Sequence, residues 1–311
     1  MHKPILSSLA CILMLALVVS ARAATSTPYD TINAAAASAT IQSSALRGGL
    51  TVLFGSGGNI TVLSGADGKL LVDGGIALSK TKLMAALNTI GHAPIKYLVN
   101  THWHWDHTDG NEWLHNAGAT IIASPQTRHD LQSTIRIEEW GHTFTPLPPA
   151  ALPTELVSKE KILDFDREHV VIRLYKPSHT NGDLRVYFTR ADVLATGDTY
   201  WNRMYPFIDT EVGGGIDGMI RAADVNITAA GDNTIIVPGH GPLSGKQELV
   251  EYRDMLLDIR NNIWSLKSKG QSEKQVIAQR PTARYDEIWG KSVINPALFV
   301  HLVYISLPSG H

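Results

Sequence analysis

The run Thr101-His102-Trp103-His104-Trp105-Asp106-His107 places four metal-competent side chains within six residues, directly after the apolar Tyr97-Leu98-Val99. That apolar run reads as a buried strand ending in a loop. In extended backbone, residues two apart project to the same side, so His102 and His104 can grip one ion; Asp106 and His107, beyond a turn, are free to face a second. A solitary histidine is more often an ordinary surface or core residue, whereas four ligand types gathered at a strand end constitute a site signal. Three further residues sit where strands run into loops: His179 in Pro177-Ser178-His179-Thr180-Asn181-Gly182-Asp183, Asp198 in Thr196-Gly197-Asp198-Thr199, and His240 in Pro238-Gly239-His240-Gly241. Glycines flank two of them closely, as expected where backbone must crowd an ion.

These residues need elements to hold them. Strands are expected at 50–54, 60–63 and 69–72, separated by Gly-Ser-Gly-Gly and Ala-Asp-Gly turns, and the last runs into Asp73-Gly74-Gly75. Ser79 is placed to cap a helix with an apolar face of Leu83, Leu87 and Ile90 and with Gly91 past its end. A strand over 95–99 then delivers the histidine cluster. A short helix over 111–117 and a strand over 120–123 follow. The proline-rich stretch 138–153 has no steady period and reads as an excursion over the site. Strands resume at 170–174, 184–188 and 193–196, then a helix at 216–230 and a strand at 234–237. A long helix begins near Gly245, with Leu249, Tyr252, Leu256, Ile259, Ile263 and Leu266 alternating steps of three and four. Residues 272–311 read as smaller helices closing the domain.

A faint internal repeat links the two parts. Residues 60–75 and 184–200 each read as two strands around a turn containing Ala-Asp, ending in Asp73 and Asp198 respectively. A helix and then a histidine-tipped strand follow each. Two such halves packed sheet on sheet with helices outside give a four-layer αββα sandwich, an α/β fold of two pseudo-symmetric halves. Asp73, the histidine cluster, Asp198 and His240 then lie along one edge.

The ends of the chain bound its setting. Lys3, the apolar stretch 5–19 and Ala21-Arg22-Ala23 read as a signal peptide over residues 1–23, so a periplasmic or secreted protein without a membrane anchor after cleavage is expected. Residues 24–47 read as a flexible lead-in with at most a short helix over 34–37, and residues 48–311 as a single domain with a helical C-terminal extension from about 245 to 311. The only cysteine, Cys11, falls in the signal, which excludes disulfides and thiolate ligands from the mature chain. A net charge of −2 without any basic run argues against a nucleic-acid partner. A small-molecule substrate is expected; the oligomeric state is not legible.

The five motifs that carry Asp73, the His102–His107 cluster, His179, Asp198 and His240 resemble, in order, those of the metallo-β-lactamase-fold hydrolase superfamily, over about residues 48–268. Carried over residue by residue, the resemblance implies that His102, His104 and His179 hold a first metal, that Asp106, His107 and His240 hold a second, and that Asp198 bridges them. Asp73 is implied as a supporting residue that orients ligands through hydrogen bonds. Nitrogen and carboxylate ligands suit zinc, two ions per chain, and would also accept iron or manganese. Two such ions sharing a water bring its pKa near neutrality, which implies hydrolysis by a bridging hydroxide that Asp106 orients. Ester, lactone, amide and β-lactam bonds are the candidate substrates. Dedicated zinc β-lactamases of the superfamily carry cysteine or serine where this chain has Asp198, an aspartate shared with glyoxalase II, lactonase and ribonuclease members. The alternatives are a β-lactamase that destroys antibiotics, an iron-dependent oxygenase on the same fold, or a non-catalytic periplasmic binding protein.

Around the ligands, Trp103, Trp105, Trp201 and Tyr205 either wall an apolar pocket or pack the loops. Arg203 is a candidate receptor for a substrate carboxylate. Glu211 and Gly213 to Gly215 read as a helix-entry loop, Ser178 as structural, and His115, His129, His142 and His301 as ordinary histidines.

Overall fold

The computed structural model describes residues 26–308. The expected signal peptide lies outside these residues, apart from which the chain runs α1 (Pro28–Ser38), β1 (Gln42–Ala45), β2 (Leu50–Phe54), β3 (Ile60–Ser64), β4 (Lys69–Val72), α2 (Lys80–Ile90), β5 (Ile95–Val99), α3 (Trp105–Thr108), α4 (Asn111–Asn116), β6 (Thr120–Ala123), α5 (Pro125–Leu131), β7 (Ile135–Ile137), β8 (His142–Phe144), β9 (Glu155–Leu156), β10 (Glu160–Phe165), β11 (Glu168–Leu174), β12 (Leu184–Phe188), β13 (Val193–Ala195), α6 (Ile216–Ala229), β14 (Ile235–Val237), α7 (Lys246–Lys267), α8 (Glu273–Ala278), α9 (Asp286–Trp289) and α10 (Pro296–Ser306).

The strands form a seven-stranded sheet in the order β1-β2-β3-β4-β5-β6-β9 and a five-stranded sheet in the order β10-β11-β12-β13-β14, with β7 and β8 as a separate hairpin. Successive strand residues face opposite sides, and the core divides accordingly. Leu70 and Val72 meet Val186, Phe188 and Val193 between the two sheets. Leu71, between them in sequence, faces outward onto Leu83 and Leu87 of α2. On the far side, α6, α7 and α10 pack through Met219, Leu256, Ile259 and Val303. The four-layer α/β sandwich is therefore the observed fold.

The repeat is visible in the pairing. β3 and β4 are antiparallel and β4 then pairs parallel with β5; β12 and β13 are antiparallel and β13 pairs parallel with β14. Each parallel step needs a crossover, supplied by α2 in one half and α6 in the other.

Three expectations need correction. Residues 24–47 are not a loose lead-in where they are described: α1 opens with a reciprocal Thr27–Asp30 capping box, and β1 pairs antiparallel with β2 as the edge of the larger sheet. The segment hid from pattern reading because Ala36 is the only buried residue of α1. Ser79 stands at the start of α2 without capping it; its hydroxyl donates instead to Ala36 O, at 3.1 Å, and ties α1 down. Lastly, β9, β10 and α5 were not foreseen. In β10 only Phe165 is buried, so its outward residues blur the alternation that marks a strand.

Candidate metal centre

β5 ends at Val99, and the chain passes through Asn100 and Thr101 to His102. Asn100 and Asn111 exchange side-chain hydrogen bonds of 2.9 Å in both directions, which closes the loop beneath α3 and α4. His104 lies just before α3, and Asp106 and His107 lie on its one turn. His179 sits in a loop pinned by Asp183, whose carboxylate accepts from Ser178 Oγ at 2.6 Å and from Thr180 N at 2.9 Å. Ser178 is thus structural, as expected. Asp198 follows β13 and His240 follows β14, neighbours in the same sheet.

All seven candidate residues come together, in two groups. His102, His104, His179 and Asp198 form one; Asp106, His107 and His240 form the other; within each group the ligand atoms lie within 4.8 Å of one another. Asp198 faces both. Its Oδ2 is 3.6 Å from His179 Nε2 and 3.3 Å from His240 Nε2, and its Oδ1 is 3.1 Å from His107 Nε2. Glycine makes room for this closeness: a Cβ at Gly239 would collide with Asp198 Oδ1, and one at Gly58 with the His107 ring.

The outer nitrogens of four histidine rings decide how the inner ones behave. Asp73 Oδ2 takes His107 Nδ1 at 2.8 Å and also accepts from Thr101 Oγ1 at 2.9 Å. The hydroxyl proton being committed there, Thr101 Oγ1 is left to accept from His102 Nδ1 at 3.0 Å. His179 Nδ1 lies 2.9 Å from Phe207 O, and His104 Nε2 lies 2.9 Å from Asp209 Oδ2. Each outer nitrogen has an acceptor and carries a proton there, and on His102, His104 and His179 the inner nitrogen presents a lone pair. Three such lone pairs converge: His104 Nδ1 is 3.1 Å from His102 Nε2 and 2.9 Å from His179 Nε2. Lone pairs at that spacing repel one another, and a cation between them removes the repulsion. Asp198 Oδ1 is also buried, with the His107 Nε2 atom 3.1 Å away. The donor set therefore fits metal ions.

Electrostatics agree. Burial alone would raise Asp198, yet His240, His107 and His102 around it hold its carboxyl well below the usual range. Burial opposes charge on His107 and His240, and the surrounding carboxylates outweigh it, raising His107 well above its ordinary value and His240 to about 9. Without metal, these two rings balance the carboxylates with protons, which an incoming cation must displace. His102 and His179 move the other way, lowered first by burial.

Asp209 is the residue that sequence reading missed. It is fully buried; its Oδ2 holds His104 and also accepts from Trp103 Nε1 at 3.0 Å, while its Oδ1 accepts from the backbone N–H of Glu211 at 3.1 Å. Phe207-Ile208-Asp209-Thr210 carries no glycine or histidine, and its partner is 105 residues away.

A cavity of about 390 Å³ opens over the two groups, with His104, Asp106, Asp198 and His240 at its base. Of the four aromatics expected to wall a pocket or pack loops, Trp105 and Trp201 line it. Trp103 and Tyr205 pack: Trp103 bonds Asp209, and Tyr205 Oη donates to Asp286 Oδ1 at 3.0 Å. Arg203 is not at the site. It lies beside Glu248, Glu251 and Asp254 in a separate surface depression, its backbone at a positive φ of 61° turning the side chain out.

The sequence profile of the metallo-beta-lactamase superfamily matches residues 53–240, more than half of the chain and the whole span from β2 to His240. The chain belongs to that superfamily. Its members are metal-dependent hydrolases, and the buried His/Asp groups are placed to bind metal as in that family. Among solved structures, it is similar to the stereoselective inverting sec-alkylsulfatase Pisa1 from Pseudomonas sp., with 18% identity, a TM-score of 0.63, and 87% of this chain covering 51% of that one. It is also similar to the DIM-1 metallo-beta-lactamase, at 18% identity and a TM-score of 0.52 over 70% of this chain and 98% of that one. The BLEG-1 B3 metallo-beta-lactamase gives 19% identity and a TM-score of 0.54 over 70% and 99%. The chain thus spans about half the length of the sulfatase, and at these identities the likeness is one of fold.

Proposed function

We propose that this chain is an exported dinuclear hydrolase, zinc being the favoured metal, that cleaves an ester, lactone, amide or β-lactam bond. The observation that carries this reading is the pair of ligand groups sharing Asp198, with lone pairs already turned inward by acceptors outside. When bound, two divalent ions supply an acidified water and polarise the scissile carbonyl. The protein supplies the rest. Asp73 and Asp209 hold His107 and His104 in one orientation, so the centre is organised before substrate arrives. Asp106 is at the cavity base with Oδ2 3.2 Å from His240 Nε2, the position from which a carboxylate orients the attacking water and receives its proton. The apolar cavity walls lower the local dielectric and so strengthen the charge interactions beside them.

Export rests on the sequence of residues 1–23; among the described residues no helix is long and apolar enough to cross a membrane. The test is elemental analysis of the purified mature protein joined to a hydrolysis screen over esters, lactones, thioesters and a chromogenic cephalosporin. Two zinc ions per chain with turnover on one class are expected. One iron per chain with oxygen consumption, or full metal loading without turnover on any class, overturns the proposal.

A further inference from the structure

The walls of the cavity differ in kind from its base. α1 and its C-cap contribute Ile32, Ala35, Ala36 and Ala39; positions 32, 36 and 39 step by four and three, and Ala35 adjoins Ala36, so the four share one helix face. Opposite stand Trp105, Trp140, Trp201 and Phe207. Among the described residues no lysine or arginine lines the space, and its only charged groups are the metal-ligand candidates at the base. A substrate with a second anionic group, such as the carboxylate of a β-lactam, would find no cation to pair with, and burying it unpaired is costly. Four donors on the lining residues have no partner in the protein: the indole N–H groups of Trp105, Trp140 and Trp201, and the Ser292 hydroxyl. These atoms are buried within the walls themselves, so the aromatic residues turn apolar surface to the cavity.

α1 is held as a fixed wall. Lys82 Nζ donates to Ala37 O and Ala39 O at 2.6 and 2.7 Å, which satisfies carbonyls at the helix end. Tyr29 N donates to Trp140 O at 3.2 Å, and the Tyr29 ring stacks on His142 with centroids 3.7 Å apart.

We propose that this cavity selects an uncharged substrate carrying an apolar acyl or alkyl chain, and that the inner face of α1 sets the chain length accepted. This rests on the hydrolase reading, which its test keeps separate. With the metal-loaded protein, p-nitrophenyl esters from acetate to decanoate give kcat/KM, and a parallel series of 2-alkanones, which have the chain and the carbonyl but cannot be hydrolysed, gives affinity by quenching of tryptophan fluorescence. Both series rise about fourfold per methylene until the cavity is full. Ala35→Trp shortens the optimal chain and Ile32→Ala lengthens it, while Ala34→Trp, exposed on the same helix and outside the cavity, leaves the optimum in place. Ketone binding that follows chain length, with no turnover of any ester, lactone, thioester or the cephalosporin, overturns the hydrolase reading and upholds the cavity assignment. Flat chain-length profiles, an optimum indifferent to Ala35→Trp and Ile32→Ala, or a kcat/KM for the cephalosporin above that of every ester overturns the cavity assignment.

Discussion

The two halves of the sandwich reach the same edge by the same strand pattern and deliver unlike things. In the first half, β4 ends at Asp73 and β5 at the His102–His107 cluster; in the second, β13 leads to Asp198 and β14 to His240. Asp73 and Asp198 occupy matching places, each after the second strand of an antiparallel pair and before the crossover to a parallel one. Asp73, at a positive φ of 68°, turns its carboxylate to Thr101 and to the back of His107. Asp198 turns inward and faces histidines of both groups. One position of the repeat thus orients a candidate ligand, and its counterpart is placed to be one. The first half concentrates four candidate ligands in one loop; the second contributes single residues that mean little until folding joins them to that loop.

The comparison can be broken first at Asp198. Asp198→Ala is expected to lose one of the two metals and about a thousandfold or more of kcat/KM; elemental analysis showing unchanged stoichiometry would contradict its bridging role. Asp73→Asn probes the matching position. It keeps the shape but weakens the hold on His107, and metal affinity is expected to drop about ten- to a hundredfold with stoichiometry retained at saturating metal, as read by competition with a chelating dye. Were it to behave like Asp198→Ala, the distinction between the two aspartates would fall. Asp209→Asn extends the contrast to a residue outside the repeat. The loss should lie at the lower end of the same range, because the amide oxygen can still accept from His104 while its charge is gone.

The smallest expected effect concerns a buried carboxylate with no partner. Asp130 is almost fully buried, Oδ2 has no donor, and burial pushes its carboxyl up to about 7. The folded protein therefore keeps a proton that the unfolded chain gives up near pH 4, so stability contributed by this group is lost as the pH rises from about 4 through about 7. Asp130→Asn, which cannot ionise, should match the parent in Tm near pH 4 and exceed it by a few degrees at pH 8. A constant difference across that range would show that the carboxyl does not titrate there.

What was legible in the sequence follows the same division. The histidine cluster announced itself because its ligands are neighbours in the chain, and the long amphipathic α7 because Leu249, Tyr252, Leu256, Ile259 and Ile263 all turn to the core. His179, Asp198 and His240 were legible only as a set carried by motif order. Asp209 was not, since its role depends on a bond to a loop far away in sequence. Arg203 was chosen for its closeness to Asp198 in sequence, yet the intervening turn sends it to the other side. α1 was misread because alanines facing a cavity bury little area, and burial is what periodicity reports.

That helix separates two tasks that most pockets entangle. The eleven residues of α1 contribute a cavity wall and one buried alanine, and none of the candidate metal ligands. A lineage could therefore revise what enters the cavity by exchanging this one segment, keeping Ser79 and Lys82 as the fittings that receive it, while the centre beneath stays under unbroken selection. Diversification of substrate range would then leave its mark in α1 well before it touched the five motifs.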